Sequence, residues 1–161
     1  ASDVYKRQLG ELSDKKTHLF AGAAADPGCR NQRSLENRIR KKKEAGAGFI
    51  QTQMVMEREN LIEFCEKISN PLEIPVIAGV FLLKSYKNAI FINKYVPGAN
   101  IPESILNRLK DAKDPLKEGI QIAAEQAHDF FNIANGVHLM AVKAEHLIPE
   151  ILEKANLNLE Y

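Results

Sequence analysis

Arg40-Lys41-Lys42-Lys43-Glu44-Ala45-Gly46-Ala47-Gly48-Phe49-Ile50-Gln51-Thr52-Gln53 holds the end of one element and nearly all of the next. The lysines close a helix: Ser34 precedes the apolar pair Leu35 and Ile39 as a capping residue, and Ala45-Gly46 supplies a C-terminal glycine. Phe49 to Val55 then reads as a strand. Ala45 to Gly48 resembles a phosphate-binding glycine loop only superficially, because it lies between a helix and a strand and a dinucleotide loop needs the opposite order.

Three more apolar runs repeat the pattern on either side. The first is His18 to Ala25, closed by the turn signal Asp26-Pro27-Gly28. The third is Pro75 to Leu82 and the fourth is Gly136 to Ala141. Helical patterns follow each run: Arg58 to Ile68 with Leu61, Ile62, Phe64, Cys65 and Ile68 on one side, Ser85 to Tyr95 stopped by Pro97-Gly98, Pro102 to Leu109, Pro115 to Ala134, and Glu145 to Ala155. Continuous apolar runs separated by helices predict parallel strands buried on both faces and joined by right-handed βα units. Four such units make either a small open doubly wound sheet or half of a (β/α)₈ barrel, and periodicity does not choose between them.

The composition bounds the function classes. The chain has 161 residues, 45% apolar and 27% charged, which is that of an ordinary globular domain. Twenty-two Lys and Arg against twenty-one Asp and Glu leave a net charge of +1, so no electrostatic case for nucleic acid arises. Cys29 and Cys65 are too isolated for a disulfide framework or a zinc site, and no histidine spacing suggests a metal. No apolar stretch approaches a membrane span and no secretory h-region opens the chain, so a cytoplasmic protein is expected. Ala1 to Gln8 has no cap and no period. It reads as a non-native segment, with residues 9–161 as the native part.

In parallel α/β folds the working residues sit at the C-terminal ends of strands and in the loops after them. After the first strand, Ala24, Ala25 and Asp26 form either a plain turn or a small-residue loop that admits a flat ligand. Gln51, Thr52 and Gln53 interrupt an apolar strand. Gln53, at its C-terminal end, can bond a heterocycle edge or satisfy neighbouring loops. Asn88 and Ile92 share a helix face one turn apart, while Lys84 and Lys87 can meet an anion at that helix's start or simply be solvated. His138 reads as a core histidine within the fourth strand.

From Arg40 to Gln53, the lysine-ended helix, the Ala-Gly-Ala and the strand finishing in Thr-Gln resemble the methylenetetrahydrofolate reductase family. Ile74-Pro75-Val76-Ile77-Ala78-Gly79-Val80, Lys84-Ser85-Tyr86-Lys87, Tyr95-Val96-Pro97-Gly98-Ala99-Asn100-Ile101-Pro102 and Gly136-Val137-His138-Leu139-Met140 continue the likeness in order. The resemblance implies a partial TIM (β/α)₈ barrel, with residues 9–161 forming its C-terminal half. It implies a flavin, FAD or FMN, whose reduced form passes a hydride to 5,10-methylenetetrahydrofolate, with NAD(P)H or an iron–sulfur partner as electron donor. Gln53 falls on the family's pterin-contacting glutamine, Asn88 on a substrate-contacting glutamine, and Ile92 on a phenylalanine near the folate. Lys42 falls on the flavin-phosphate side, and Ala24, Ala25 and Asp26 on the loop beside the flavin.

The sequence also departs from the family. Val142-Lys143-Ala144-Glu145 lacks an arginine that many members carry after the last strand, and Asp26 stands where an aromatic is common. Both departures resemble the members from acetogens and archaea. The family's acid and base residues precede the matched region, so no catalytic residue is assigned and the chain alone is expected to be inactive. Rival readings are a non-catalytic half-barrel accessory subunit and another pterin-binding barrel enzyme such as a methyltransferase. His18-Leu19-Phe20-Ala21 carries no charge or proline to protect a sheet edge, which favours a truncated barrel, prone to self-association, over a natural half.

Overall fold

A computed structural model of the chain describes residues 20–157. The segment 1–8, and His18 and Leu19 of the first run, lie outside them. Four parallel strands, β1 (Gly22–Ala25), β2 (Phe49–Met54), β3 (Val76–Phe81) and β4 (Gly136–Met140), form one sheet in the order β1-β2-β3-β4. That order decides what periodicity left open. A doubly wound sheet reverses its direction of growth, which sends helices to both faces. Here every right-handed crossover steps the same way, so the helices share one face, as in a barrel wall.

The main core lies on that face. It joins Ile50, Val76, Ala78 and Val80 of the strands to Leu35 and Ile39 of α1 (Gln32–Glu44), Leu61 and Phe64 of α2 (Arg58–Phe64), Ala123 and Phe130 of α5 (Pro115–Phe131), and Ile151 of α6 (Ile148–Ala155). The opposite face carries Ala24, Phe49, Gln51, Ile77, His138 and Met140, none fully buried. This corrects the expectation of strands buried on both faces. Exposure alternates along β2, because helices cover one side only and the other is the side that lines a barrel's interior.

The helix boundaries follow local chemistry. The cap of α1 is Asn31, whose Oδ1 accepts the Ser34 N–H at 2.9 Å, so the helix starts before the expected Ser34. Beyond Phe64, α2 widens into a π turn at Cys65–Ser69, closed by Asn70 N–H on the Cys65 carbonyl, where a plain α-helix was expected. Burial pushes the Cys65 thiol up from its ordinary value, so it remains a protonated core group. Ser85 caps α3 (Tyr86–Tyr95), and Asp114 caps α5, where Pro115 fits the first turn.

The β3–β4 crossover contains three helices. Of these, α5 packs on the sheet, while α3 and α4 (Glu103–Asp111) build a second core with Met54, Met56 and Leu83 at the C-terminal ends of β2 and β3. Gly119 of α5 meets the end of β3 so closely that a Cβ there would stand 1.8 Å from the Leu83 carbonyl oxygen. Among the described residues, no helix is long and apolar enough to cross a membrane.

Candidate functional site

A cleft of about 760 Å³ runs along β1 and β2, from Gly22 and Phe49 to their C-terminal ends at Ala25 and Gln53, the end at which parallel barrels carry their sites. Its β1 wall is small. Gly22, Ala24 and Ala25 contribute no side chain beyond a methyl group, so the backbone itself faces the cleft. Asp26 ends this wall and serves as a turn residue as well, its Oδ1 accepting the Gly28 N–H at 2.9 Å. Pro97, from the loop after α3, closes in from the side.

The α1 wall is basic. Lys42 lines the cleft and its ammonium donates to the Ala24 carbonyl, tying the helix end to the β1 strand. Arg38, one turn earlier, lines the cleft too and contacts the Cys29 sulfur at 3.2 Å. Sequence reading passed over Arg38, although its i, i+4 relation to Lys42 was a usable signal. The neighbouring lysines go elsewhere. Lys43 donates to the Leu72 carbonyl, and Lys41 borders a separate groove with Arg33 and Asn37.

The β2 wall is irregular in a specific way. Gln51 pairs with Ile77 and Met54 with Gly79, so β2 has one more residue than β3 between the two pairs, a β-bulge at Thr52 and Gln53. Both backbone groups disturbed by the bulge find side-chain partners. The Thr52 hydroxyl accepts the Gly79 N–H at 2.8 Å and donates to the Gln53 carbonyl at 2.7 Å. The Met54 N–H donates to Oε1 of Gln53 at 3.0 Å. A Cβ on Gly79 would stand 2.9 Å from the Gln53 carbonyl, so β3 needs glycine where the bulge presses on it. The side chain of Gln53 lines the cleft.

Gln51 lines it too, and its amide meets Nδ1 of His138 at 2.9 Å across β3. His138 was expected in the core. It lies instead half-buried on the interior face, in register with Gly79. Asn88 and Ile92 do not line the cleft. Asn88 Oδ1 accepts the Lys84 N–H at 3.2 Å at the start of α3, and Ile92, 3% exposed, packs in the second core. Lys84 donates to the Val142 carbonyl at 2.9 Å. Among the described residues, no group of three or more His, Cys, Asp or Glu could hold a metal ion.

Comparison with known proteins bears on the family and the fold. The family model for methylenetetrahydrofolate reductase matches residues 10–156. Methylenetetrahydrofolate reductase 2 of Saccharomyces cerevisiae is 25% identical over 177 aligned residues, covering 98% of this chain and 28% of that protein. Methylenetetrahydrofolate reductase 1 of Schizosaccharomyces pombe is 25% identical over 127 residues, covering 74% of this chain and 21% of that protein. The chain thus spans less than a third of either yeast relative. A solved structure from Clostridium thermocellum, of a protein described as binding two copies of 5-methyl-5,6,7,8-tetrahydrofolic acid, superposes with a TM-score of 0.65. It is 20% identical, with 85% of this chain and 52% of that one covered, a likeness of fold. Over nearly its whole length, this chain belongs to the methylenetetrahydrofolate reductase family.

Proposed function

We propose that this chain supplies the folate-facing and flavin-facing wall of a flavin-dependent methylenetetrahydrofolate reductase. The observation that carries the reading is the convergence on one cleft of a side-chain-poor strand end, two cations one helical turn apart, and the amide of Gln53. These residues fit a flavin: Gly22, Ala24 and Ala25 let a flat ring approach the backbone, and Arg38 and Lys42 suit the phosphate that FAD and FMN share. When bound, reduced flavin supplies the hydride that converts 5,10-methylenetetrahydrofolate to 5-methyltetrahydrofolate, with NAD(P)H or an iron–sulfur protein restoring the electrons. Gln53 holds the pterin edge, and Pro97, from the loop after α3, closes the cleft from the side.

Among the described lining residues Asp26 is the one carboxylate, and its Oδ1 is engaged by Gly28. The described lining therefore supports binding and orientation as this wall's contribution. Titration of the purified chain with 5-methyltetrahydrofolate, FAD and FMN tests the proposal. We expect saturable folate binding, weakened about 1–3 kcal/mol by Gln53→Ala, with flavin affinity unchanged. Absence of both folate and flavin binding sinks the reading. Folate binding without flavin binding would support a second reading, a folate-binding module without redox chemistry. That reading is favoured by the sparse carboxylates of the cleft and by the folate ligand of the Clostridium thermocellum protein.

A further inference from the structure

We infer that Thr52 is a positioning residue that presents Gln53 to the ligand as a hydrogen-bond donor. The argument starts from the bulge. An inserted strand residue leaves ladder groups without partners, and a buried backbone N–H without one is costly. Here the Thr52 hydroxyl stands in for a strand carbonyl toward Gly79, and the same hydroxyl grips the Gln53 carbonyl from the other side. Thr52 is 5% exposed, so solvent cannot substitute for it.

With its backbone held there, Gln53 satisfies the displaced Met54 N–H through its own side chain. An N–H can donate only to the oxygen of an amide, which fixes the end-to-end orientation of the group. Oε1 faces Met54, and Nε2, which has no protein partner among the described residues, is left for the cleft that Gln53 lines. The complementary ligand edge carries acceptors: a ring carbonyl oxygen or an unprotonated ring nitrogen. That the ligand is a folate rests on the function proposed above. The bulge, the Thr52 contacts and the amide polarity do not.

Amide hydrogen exchange and titration with 5-methyltetrahydrofolate, both on the purified chain, test the two levels separately. Slow exchange at Met54 in the wild type should become fast in Gln53→Ala and in Thr52→Val, and remain slow in Thr52→Ser, which keeps the hydroxyl. Gln53→Glu keeps the acceptor for Met54 but loses the donor, so Met54 should stay protected while folate affinity falls by at least about tenfold. Thr52→Val should weaken folate binding by a similar factor, Thr52→Ser should restore it, and Thr52→Val combined with Gln53→Ala should be no worse than Gln53→Ala alone. Unchanged Met54 exchange in Gln53→Ala, or undiminished folate binding by Gln53→Glu, would overturn the inference. So would additive losses in the double variant. If Thr52→Val does not fold, Thr52→Ser with fast Met54 exchange is the contrary result. A wild-type chain that ignores folate defeats the functional reading alone, since the exchange measurements still decide the positioning.

Discussion

At the residue scale, one helix end separates into three roles. Successive helical side chains point about 100° apart, so three adjacent lysines cannot face one site. Lys42 turns to the cleft and the Ala24 carbonyl, Lys43 to the Leu72 carbonyl, and Lys41 to the outer groove. All three gain from the helix macrodipole, so a dipole effect alone would make them equivalent. We expect Lys42→Gln to weaken flavin retention, more strongly at low salt, where its charge is least screened. Lys41→Gln should do little, and Lys43→Gln should lower thermal stability without changing flavin affinity. Flavin titrations at two ionic strengths check this, and three equal effects would return the run to a merely solvated helix end.

At the element scale, the second core at the C-terminal ends of β2 and β3 depends on how α4 and α5 dock. Gly119 allows α5 to press against Leu83, and a Cβ has no room there because the obstacle is backbone. Gly119→Ala should cost about 1–3 kcal/mol or more, as overpacking does, and lower the melting temperature although alanine favours helices. Arg108 of α4 then ties the two helices, reaching Glu118 and Glu125 of α5 at 2.7 Å each. Its guanidinium holds the Glu125 carboxyl below its ordinary range. A carboxyl depressed on folding stabilises above its unfolded value and loses that contribution as pH falls through the folded value. The groups are roughly half exposed, so the gain is about 0.2–1 kcal/mol. Melts of the wild type and Glu125→Gln should differ by that amount at neutral pH and converge in acid. A gap that widens on acidification would contradict the assignment.

At the scale of the whole molecule, the sheet is the wall of an incomplete barrel. Among the described residues β1 and β4 each pair on one side only, and the interior face carries Phe49 and Ile77, which join neither core. Phe20, 79% exposed, stacks on Phe49 at 5.5 Å and extends this apolar surface. Open strand edges beside apolar surface promote association. We expect the purified chain to self-associate with rising concentration, visible as a mass above the 18.0 kDa protomer in light scattering. A strictly monomeric species that melts cooperatively would show that the described wall is stable alone.

The residue pattern by itself determined a great deal here. Continuous apolar runs placed β2, β3 and β4 close to their observed bounds, and glycine, proline and serine signals placed most helix ends, because these rest on local periodicity and φ preferences. Gln53 stood out as an amide ending an apolar strand, while Lys42 was singled out only by the family resemblance, since a lysine at a helix end is favoured by the macrodipole without any ligand. What only the tertiary structure decided are the features that depend on registry between distant segments. The consecutive strand order, which separates a barrel wall from a doubly wound sheet, is one. The placement of Ile92 in a core built by α3 and α4 is another. The bulge is the third: Thr52 looks like any strand threonine until Gly79, far along the chain, loses a backbone partner and takes its hydroxyl instead.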